Sequence, residues 1–287
     1  MFAIKSVFAV LVLYETRLED SSTLMSLNRS LEDAESELDM LVYNNSPRPQ
    51  DYPNYFKYNR LNILYCHNPL NGGLGVAYNF GADLIKERSD KKWLLLLDQD
   101  TTFSTDFFHK TQIAVETYPC VTLFAPKLFD EIGIFSPAKY KYKSGHRLSD
   151  VAPGIYHLKK IVPVNSGLLI SKTAFFEAGK YNEKVKLDFS DLQFIERLKK
   201  IHPSFCLTGA IGHQNFSNNE TDVLKLNLRY SFFCQGARNI ERNSPLDSLI
   251  YFLLAFKRGI SLARRTKKTI FFKTFFIYYC RNRRNSE

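Results

Sequence analysis

The sequence predicts an α/β fold, a mostly parallel central sheet with helices over both faces. Three observations carry this expectation. The apolar runs are short and β-rich, helical patterns separate them, and four such runs fall within the first hundred of 287 residues. Parallel neighbours connected by helices require both faces of the sheet to be covered.

The elements follow in order. Residues 2–14 are apolar apart from Lys5, lack a small-residue cleavage site and fall short of the roughly 20 residues a membrane span needs, so Val7–Leu13 reads as a buried first strand. Ser21 or Ser22 caps a helix with apolar positions Leu24, Leu27 and Leu31, and residues 39–43 form a second strand ending in the turn Asn44-Asn45-Ser46-Pro47. Residues 62–66 give a third strand, the glycine-rich stretch 71–75 opens a helix running to about Arg88, and residues 92–97 give a fourth strand ending at Asp98. Beyond it come a helix over 105–117, a strand over 121–126, and a Tyr-, Lys-, Gly- and Pro-rich stretch, 132–156, expected as an irregular loop or hairpin over a site. A strand over 162–171 passes through Asn165-Ser166-Gly167. A short helix (172–178), a helix over 191–200 with an acid in its first turn, and residues 204–207 leading to Gly212-His213 complete this part.

Composition narrows the function. With 45% hydrophobic and 24% charged residues the chain is not disordered as a whole. Its formal charge of +10 is concentrated in ten bases between Lys257 and Arg284, which leaves 29 bases against 29 acids elsewhere. A neutral body argues against nucleic acid as partner, because a surface that grips phosphate along its length is itself basic. Five cysteines without a CxxC pair argue against a zinc ribbon or a disulfide framework and fit a reducing cytoplasm. From about Leu226 apolar runs at 249–256 and 270–280 alternate with the bases, and neither run spans a bilayer. The chain therefore divides into a catalytic domain, 1–225, and a basic, aromatic-rich helical region, 226–287, suited to the headgroup region of an anionic leaflet. A helical cap with a solvated charged face is the alternative.

The chemistry concentrates at Leu94-Leu95-Leu96-Leu97-Asp98-Gln99-Asp100, where an apolar strand delivers two carboxylates to the carboxyl end of a parallel sheet. Both acids can reach one divalent cation, directly or through water. Asn71-Gly72-Gly73-Leu74-Gly75-Val76-Ala77-Tyr78-Asn79-Phe80-Gly81 places glycines and asparagines at a helix start, where backbone N–H groups can meet an anionic or polar ligand, in neither a P-loop nor a dinucleotide spacing.

Together these segments resemble the family 2 glycosyltransferases of the GT-A fold, particularly the rhamnosyltransferase-like branch of bacterial surface-polysaccharide synthesis. The resemblance runs from about Val7 to Arg229. Val10–Tyr14 looks like the family's first strand, and Val42-Tyr43-Asn44-Asn45-Ser46 like its second, with Asn44 in place of an acid. Residues 71–81 look like its Asn/Gly segment, Leu97–Asp100 like its DxD-type motif, and 164–170 like its Asn-Ser-Gly strand. Leu187-Asp188-Phe189-Ser190-Asp191-Leu192-Gln193-Phe194 looks like the segment with the catalytic base, with Gln193-Phe194 replacing Glu-Trp, and 209–213 like the segment that supplies a histidine to the metal.

The resemblance implies Asp191 as catalytic base with Asp188 beside it. It implies Tyr14, Asn44, Asn71, Gly73, Asn79, Asp98, Asn165, Ser166 and Gly167 at the donor, and Asp98, Asp100 and His213 around Mn²⁺ or Mg²⁺. It further implies an inverting transferase that moves a sugar, L-rhamnose from dTDP-L-rhamnose or a hexose from UDP, onto a lipid-linked O-antigen or capsule-type glycan at the cytoplasmic membrane surface. The chemistry agrees independently: a leaving diphosphate needs its charge stabilised. A carboxylate on the opposite face of the anomeric carbon can take the acceptor proton, and a helix N-terminus would favour its ionised form. Two other classes compete. A haloacid-dehalogenase-type phosphatase would use Asp98 as nucleophile and Asp100 as acid/base, but that motif belongs on a first strand. A non-catalytic membrane-surface adaptor would lack a base.

Overall fold

The computed structural model describes residues 2–214 and 221–281. The chain opens with β1 (Val7–Leu13), α1 (Ser22–Asp33), β2 (Leu38–Asn44), β3 (Tyr55–Tyr58), β4 (Leu61–His67), α2 (Leu74–Leu84) and β5 (Trp93–Asp98). It continues through β6 (Thr101–Phe103), α3 (Phe107–Thr117), β7 (Leu123–Asp130), β8 (Gly133–Ser136), β9 (Ala138–Lys141), β10 (Ser144–His146), β11 (Gly154–His157), β12 (Ile161–Val162) and β13 (Leu168–Ser171). The last part holds α4 (Lys172–Glu177), α5 (Ser190–Leu198), β14 (Ser204–Gln214), α6 (Val223–Asn239), α7 (Pro245–Thr266) and α8 (Ile270–Phe275).

The main sheet runs β11-β14-β7-β13-β5-β1-β2-β4-β3, with β6 joined to β14 and β8 to β7. The expected parallel core is β5-β1-β2-β4, and β7 pairs β14 in parallel as well. The sheet is more mixed than the sequence suggested, because β13 lies antiparallel between β5 and β7 and the edge strand β3, unforeseen from its short alternating pattern, folds back on β4.

Every residue of β1 is buried, since both faces of the sheet are covered. Residues alternate between layers: Ala9 and Leu11 pack with Leu24, Leu27 and Leu31 of α1 and Phe107 and Phe108 of α3, whereas Val10 and Val12 pack with Ala77 and Tyr78 of α2 and Phe175 and Phe194. The leucine run of β5 is explained the same way. Leu95 and Leu97 enter one layer and Leu94 and Leu96 the other, each contributing about 1.5–3 kcal/mol by leaving water.

Three expectations change. Residues 165–167 lie in a turn before β13 rather than inside a strand, because Leu168 N–H donates to the Asn165 carbonyl (2.9 Å) and closes the chain on itself. The 132–156 stretch supplies strands, and β10-β9-β12 forms a small second sheet. Its Tyr140 ring takes Lys199, and its Lys143 pairs with Glu196 and Asp247, so these contacts run to α5 and α7 and not to the Asp98–Asp100 corner. Finally, the boundary at 225/226 falls inside α6. Helices α6–α8 form a third cluster, Tyr230, Phe233, Tyr251, Phe271 and Phe275 among its members, which also buries Val185 and Phe189 from just before α5.

Candidate active site

Register brings the site together. Val12 lies opposite Asp98 and Leu13 opposite Asn44, so Tyr14, the 44–46 turn and the 98–100 turn emerge at one level of the carboxyl edge. The acid turn is held from below by α1, whose first-turn hydroxyls face it. Thr23 Oγ1 donates to the Asp98 carbonyl (2.6 Å) and accepts from Thr101 N–H (2.9 Å), and Ser21 Oγ donates to the Gln99 carbonyl (2.8 Å). Gln99 turns its side chain to Tyr14, accepting from its N–H (2.7 Å) and donating to its carbonyl (3.2 Å), which leaves the Tyr14 ring exposed at the edge.

Two hydrogen bonds orient the acids themselves. Tyr78 Oη donates to Asp98 Oδ1 (3.0 Å), and Gln214 Nε2 donates to Asp100 Oδ1 (2.6 Å). Burial pushes the Asp98 carboxyl up to about 7, and the charges of Asp100 and Asp191 push in the same direction against the Tyr78 bond. Asp100 is raised too, by burial and against the Gln214 bond.

Asp191 occupies the first turn of α5 and accepts from Leu192 N–H (2.8 Å). Its carboxyl is nevertheless pushed up to about 6, because burial, reinforced by Asp188, outweighs the backbone N–H groups that were expected to favour the ionised form. Burial, and after it the charges of Asp98 and Asp191, raise the hydroxyls of Tyr78 and Tyr181, so both acids lie near these two rings. Asp188 Oδ2 is buried there without a hydrogen-bond partner among the described residues.

The Asn-Ser-Gly turn braces the two halves. Asn165 Oδ1 accepts from Tyr181 Oη (2.6 Å), Ser166 Oγ bonds Thr101 Oγ1 (2.6 Å), and Gly167, at φ +77°, sits where a Cβ would lie 2.7 Å from Pro126 Cγ. All three residues are buried.

Other expected donor residues are held internally. Asn44 donates to Tyr65 Oη (2.8 Å) and accepts from Ser46 N–H (2.9 Å), which fixes the turn. Asn71 adopts φ +45° at the entry to the glycine stretch. The partner of that stretch is protein rather than an open ligand space: Leu74 N–H donates to the Lys186 carbonyl (3.1 Å), and a Cβ on Gly73 would lie 2.3 Å from the same oxygen. Asn79 donates to the Tyr181 carbonyl (3.0 Å) and Glu183 (2.9 Å) and accepts from Tyr181 N–H (2.8 Å).

His213 is placed differently from expectation. It is exposed, its ring stacked on Phe129 at 5.5 Å, while its neighbour Gln214 is buried and reaches Asp100. Successive side chains of a strand point to opposite faces, so β14 presents Gln214 to the acids and turns His213 away. Tyr78, Tyr181 and Gln214 were missed by sequence reasoning. Tyr78 sits in the quoted Asn/Gly segment, and Gln214 directly follows the histidine.

A divalent ion fits the acid corner on electrostatic grounds. Burial disfavours ionisation of the Asp98 and Asp100 carboxyls, neither has a Lys or Arg within ion-pair distance among the described residues, and a cation beside them would relieve that cost. No group of three His, Cys, Asp or Glu side chains able to hold a metal occurs among those residues. Two carboxylates suffice where the remaining oxygens come from water and substrate phosphates, the usual arrangement for Mg²⁺.

No protein-family model matches the chain, and no curated protein matches it. Solved structures do. GalNAc-T7, crystallised with UDP, GalNAc and Mn²⁺, superposes with a TM-score of 0.53 at 10% identity over 96% of this chain and 56% of that one. S. aureus TarS superposes with a TM-score of 0.50 at 13% identity over 89% of this chain and 44% of that one. The chain spans about half the length of these proteins. At such identities the likeness is one of architecture, and the architecture is the GT-A fold of glycosyltransferases.

Proposed function

We propose that the chain is an inverting, metal-dependent glycosyltransferase that uses a nucleotide-sugar donor. The observation that carries this reading is the convergence of Asp98, Asp100 and Asp191, with raised carboxyls, at the carboxyl edge of a GT-A sheet. Asp98 and Asp100 would hold Mn²⁺ or Mg²⁺, as the Mn²⁺ in the GalNAc-T7 crystal suggests. The bound ion would offset, as a Lewis acid, the charge that develops on the leaving diphosphate. Tyr14, exposed beside the turn, offers its ring to the nucleotide. Asp191 accepts the proton of the acceptor hydroxyl, a task that suits a carboxyl poised near 6, since a base works best with a pKa close to the operating pH. The walls of Tyr78, Tyr181 and Asn165 keep water away from that transfer.

The donor proposed first is dTDP-L-rhamnose, with a UDP-hexose as alternative, and the acceptor is a lipid-linked O-antigen or capsule-type glycan at the cytoplasmic face of the membrane. The C-terminal surface supports the membrane part. Leu246, Leu249, Leu253 and Phe256 are exposed along α7, followed by exposed Lys257, Arg264, Arg265, Lys267, Lys268 and Lys273. Arg283 and Arg284 lie outside the described residues, and Arg258 stacks on Phe233 instead of facing outward. No described helix is long and apolar enough to cross a membrane. A panel of nucleotide-sugars scored for nucleoside diphosphate release, with and without EDTA, tests the reading. Turnover of none, or turnover undiminished in excess EDTA, defeats it.

A further inference from the structure

The segment from Tyr181 to Asp191, a loop that carries Asp188 and the first turn of α5 that carries Asp191, is gripped from two sides. On one side stands the start of α2, with Gly73 against the Lys186 carbonyl and Asn79 bonded to Tyr181. On the other stands α6. A Cβ on Gly236 would lie 2.9 Å from the Asp188 carbonyl, and Asn239 Nδ2 donates to the Lys184 carbonyl (3.1 Å).

Between the two acids, Phe189 adopts a left-handed backbone, φ 73° and ψ −6°. That region costs a side-chain-bearing residue of order 1–3 kcal/mol and persists only where surroundings over-determine it. Here they do. The Phe189 ring is buried, 4.7 Å from Phe233 of α6 and 5.6 Å, edge-on, from Tyr251 of α7. The left-handed residue is also what ends the loop and starts α5, so the direction in which Asp188 and Asp191 leave the backbone depends on it.

We infer that α6 and α7 form a positioning device for the transfer base, with Phe189 as the pin through which the C-terminal helices set Asp188 and Asp191 against the Asp98–Asp100 corner. This rests on the reading of Asp191 as base given above. Phe189 and Gly236 touch no substrate in this scheme. They act through the loop.

Two substitutions in the full-length protein separate ring from backbone. Phe189→Gly removes the pin while leaving a residue at ease in the left-handed region. Gly236→Ala keeps the pin and pushes the Asp188 carbonyl. Nucleoside diphosphate release from dTDP-L-rhamnose and UDP-galactose, run with a lipid-linked glycan extract, gives kcat and donor KM, and titration of UDP and dTDP in Mn²⁺ gives nucleotide affinity. A misplacement near 1 Å costs up to roughly 100-fold, so kcat is expected to fall about 10- to 100-fold in each variant. Donor KM and nucleotide affinity should stay within about twofold, and Phe189→Leu should recover part of the rate. Wild-type kcat in Gly236→Ala, or a parallel fall of kcat, nucleotide affinity and thermal midpoint in both variants, would overturn the inference. If Phe189→Gly does not fold, Gly236→Ala and Asn239→Ala decide it by the same split. A wild-type protein that consumes no donor defeats the functional reading itself, an outcome distinct from wild-type turnover that the variants leave unchanged.

Discussion

The acid corner and the base loop carry the same kind of group in opposite kinds of setting. Asp98 and Asp100 end a central strand, and nearby hydroxyls of α1 hold their turn. Asp188 ends a loop and Asp191 starts the helix after it, and the shape of that loop is set from α2 and α6, about a hundred residues upstream and about fifty downstream. Tertiary contacts hold both, but the acids of the first are contiguous at the end of one strand, whereas those of the second hang on a segment braced between two helices that are remote from each other in sequence. Damage to the corner should therefore act on metal and donor, and damage to the loop on transfer.

The largest effect expected is that of Asp191→Asn. It retains shape while removing the base, so transfer should fall roughly 10²–10⁴-fold with nucleotide binding intact. Near-normal transfer would move the role to Asp188. Next comes the corner. Asp100→Ala should abolish Mn²⁺-dependent donor binding, measured by titration, and Gln214→Leu, which leaves Asp100 unsupported, should weaken it about 10-fold, the lower end for a residue that orients a metal ligand. His213→Ala should leave the metal dependence unchanged, and a loss equal to that of Gln214→Leu would restore the histidine as a ligand.

A smaller effect separates the regions by pH. The folded Asp98 carboxyl keeps its proton up to about 7, whereas an unfolded one releases it near 3.8. Between these values the native state binds more protons, so without metal this group's contribution makes stability fall as pH rises through the window and level off above it. Asp98→Asn should flatten that slope and raise the thermal midpoint at pH 8 in the absence of divalent ions. An unchanged slope would show that burial does not govern this carboxyl. The smallest effect belongs to the outer surface. Reversing Lys257, Arg264, Lys267 and Lys268 to Glu should abolish sedimentation with anionic vesicles and leave nucleotide affinity untouched, at about 1 kcal/mol per base. Equal binding of the wild-type protein to neutral and anionic vesicles would reject the electrostatic account. Truncation after about Asp247 is a poorer test, since it would strip Tyr251 from Phe189.

The same contrast decides what could be read in the sequence. β5 was legible because its apolar run and its two acids are contiguous, and the unbroken apolar run of β1 announced a buried strand. The glycine segment was legible as a special helix start but not in its purpose, since its partner, Lys186, is far along the chain. The facing of His213 could not be read either. β14 shifts register between Leu207 and Ile211, and such an irregularity changes which side chains reach the site. The pin at Phe189 gives no signal, because a left-handed phenylalanine looks like any other apolar residue near a helix start. The tail was read as a membrane-facing surface with a helical cap as the alternative, and Tyr230, Phe233 and Tyr251 give it a packed core beside its exposed bases.

The raised carboxyls of the corner also make it a proton reservoir. Burial pushes the Asp98 carboxyl up to about 7, so on the proposed metal reading a cation entering the corner would displace a proton there. Ion uptake should acidify an unbuffered solution and should tighten as pH rises, over the same span in which the empty protein loses stability. Loading then reverses the sign of the protein's response to alkali: the ion stabilises most where bare repulsion among the acids is greatest.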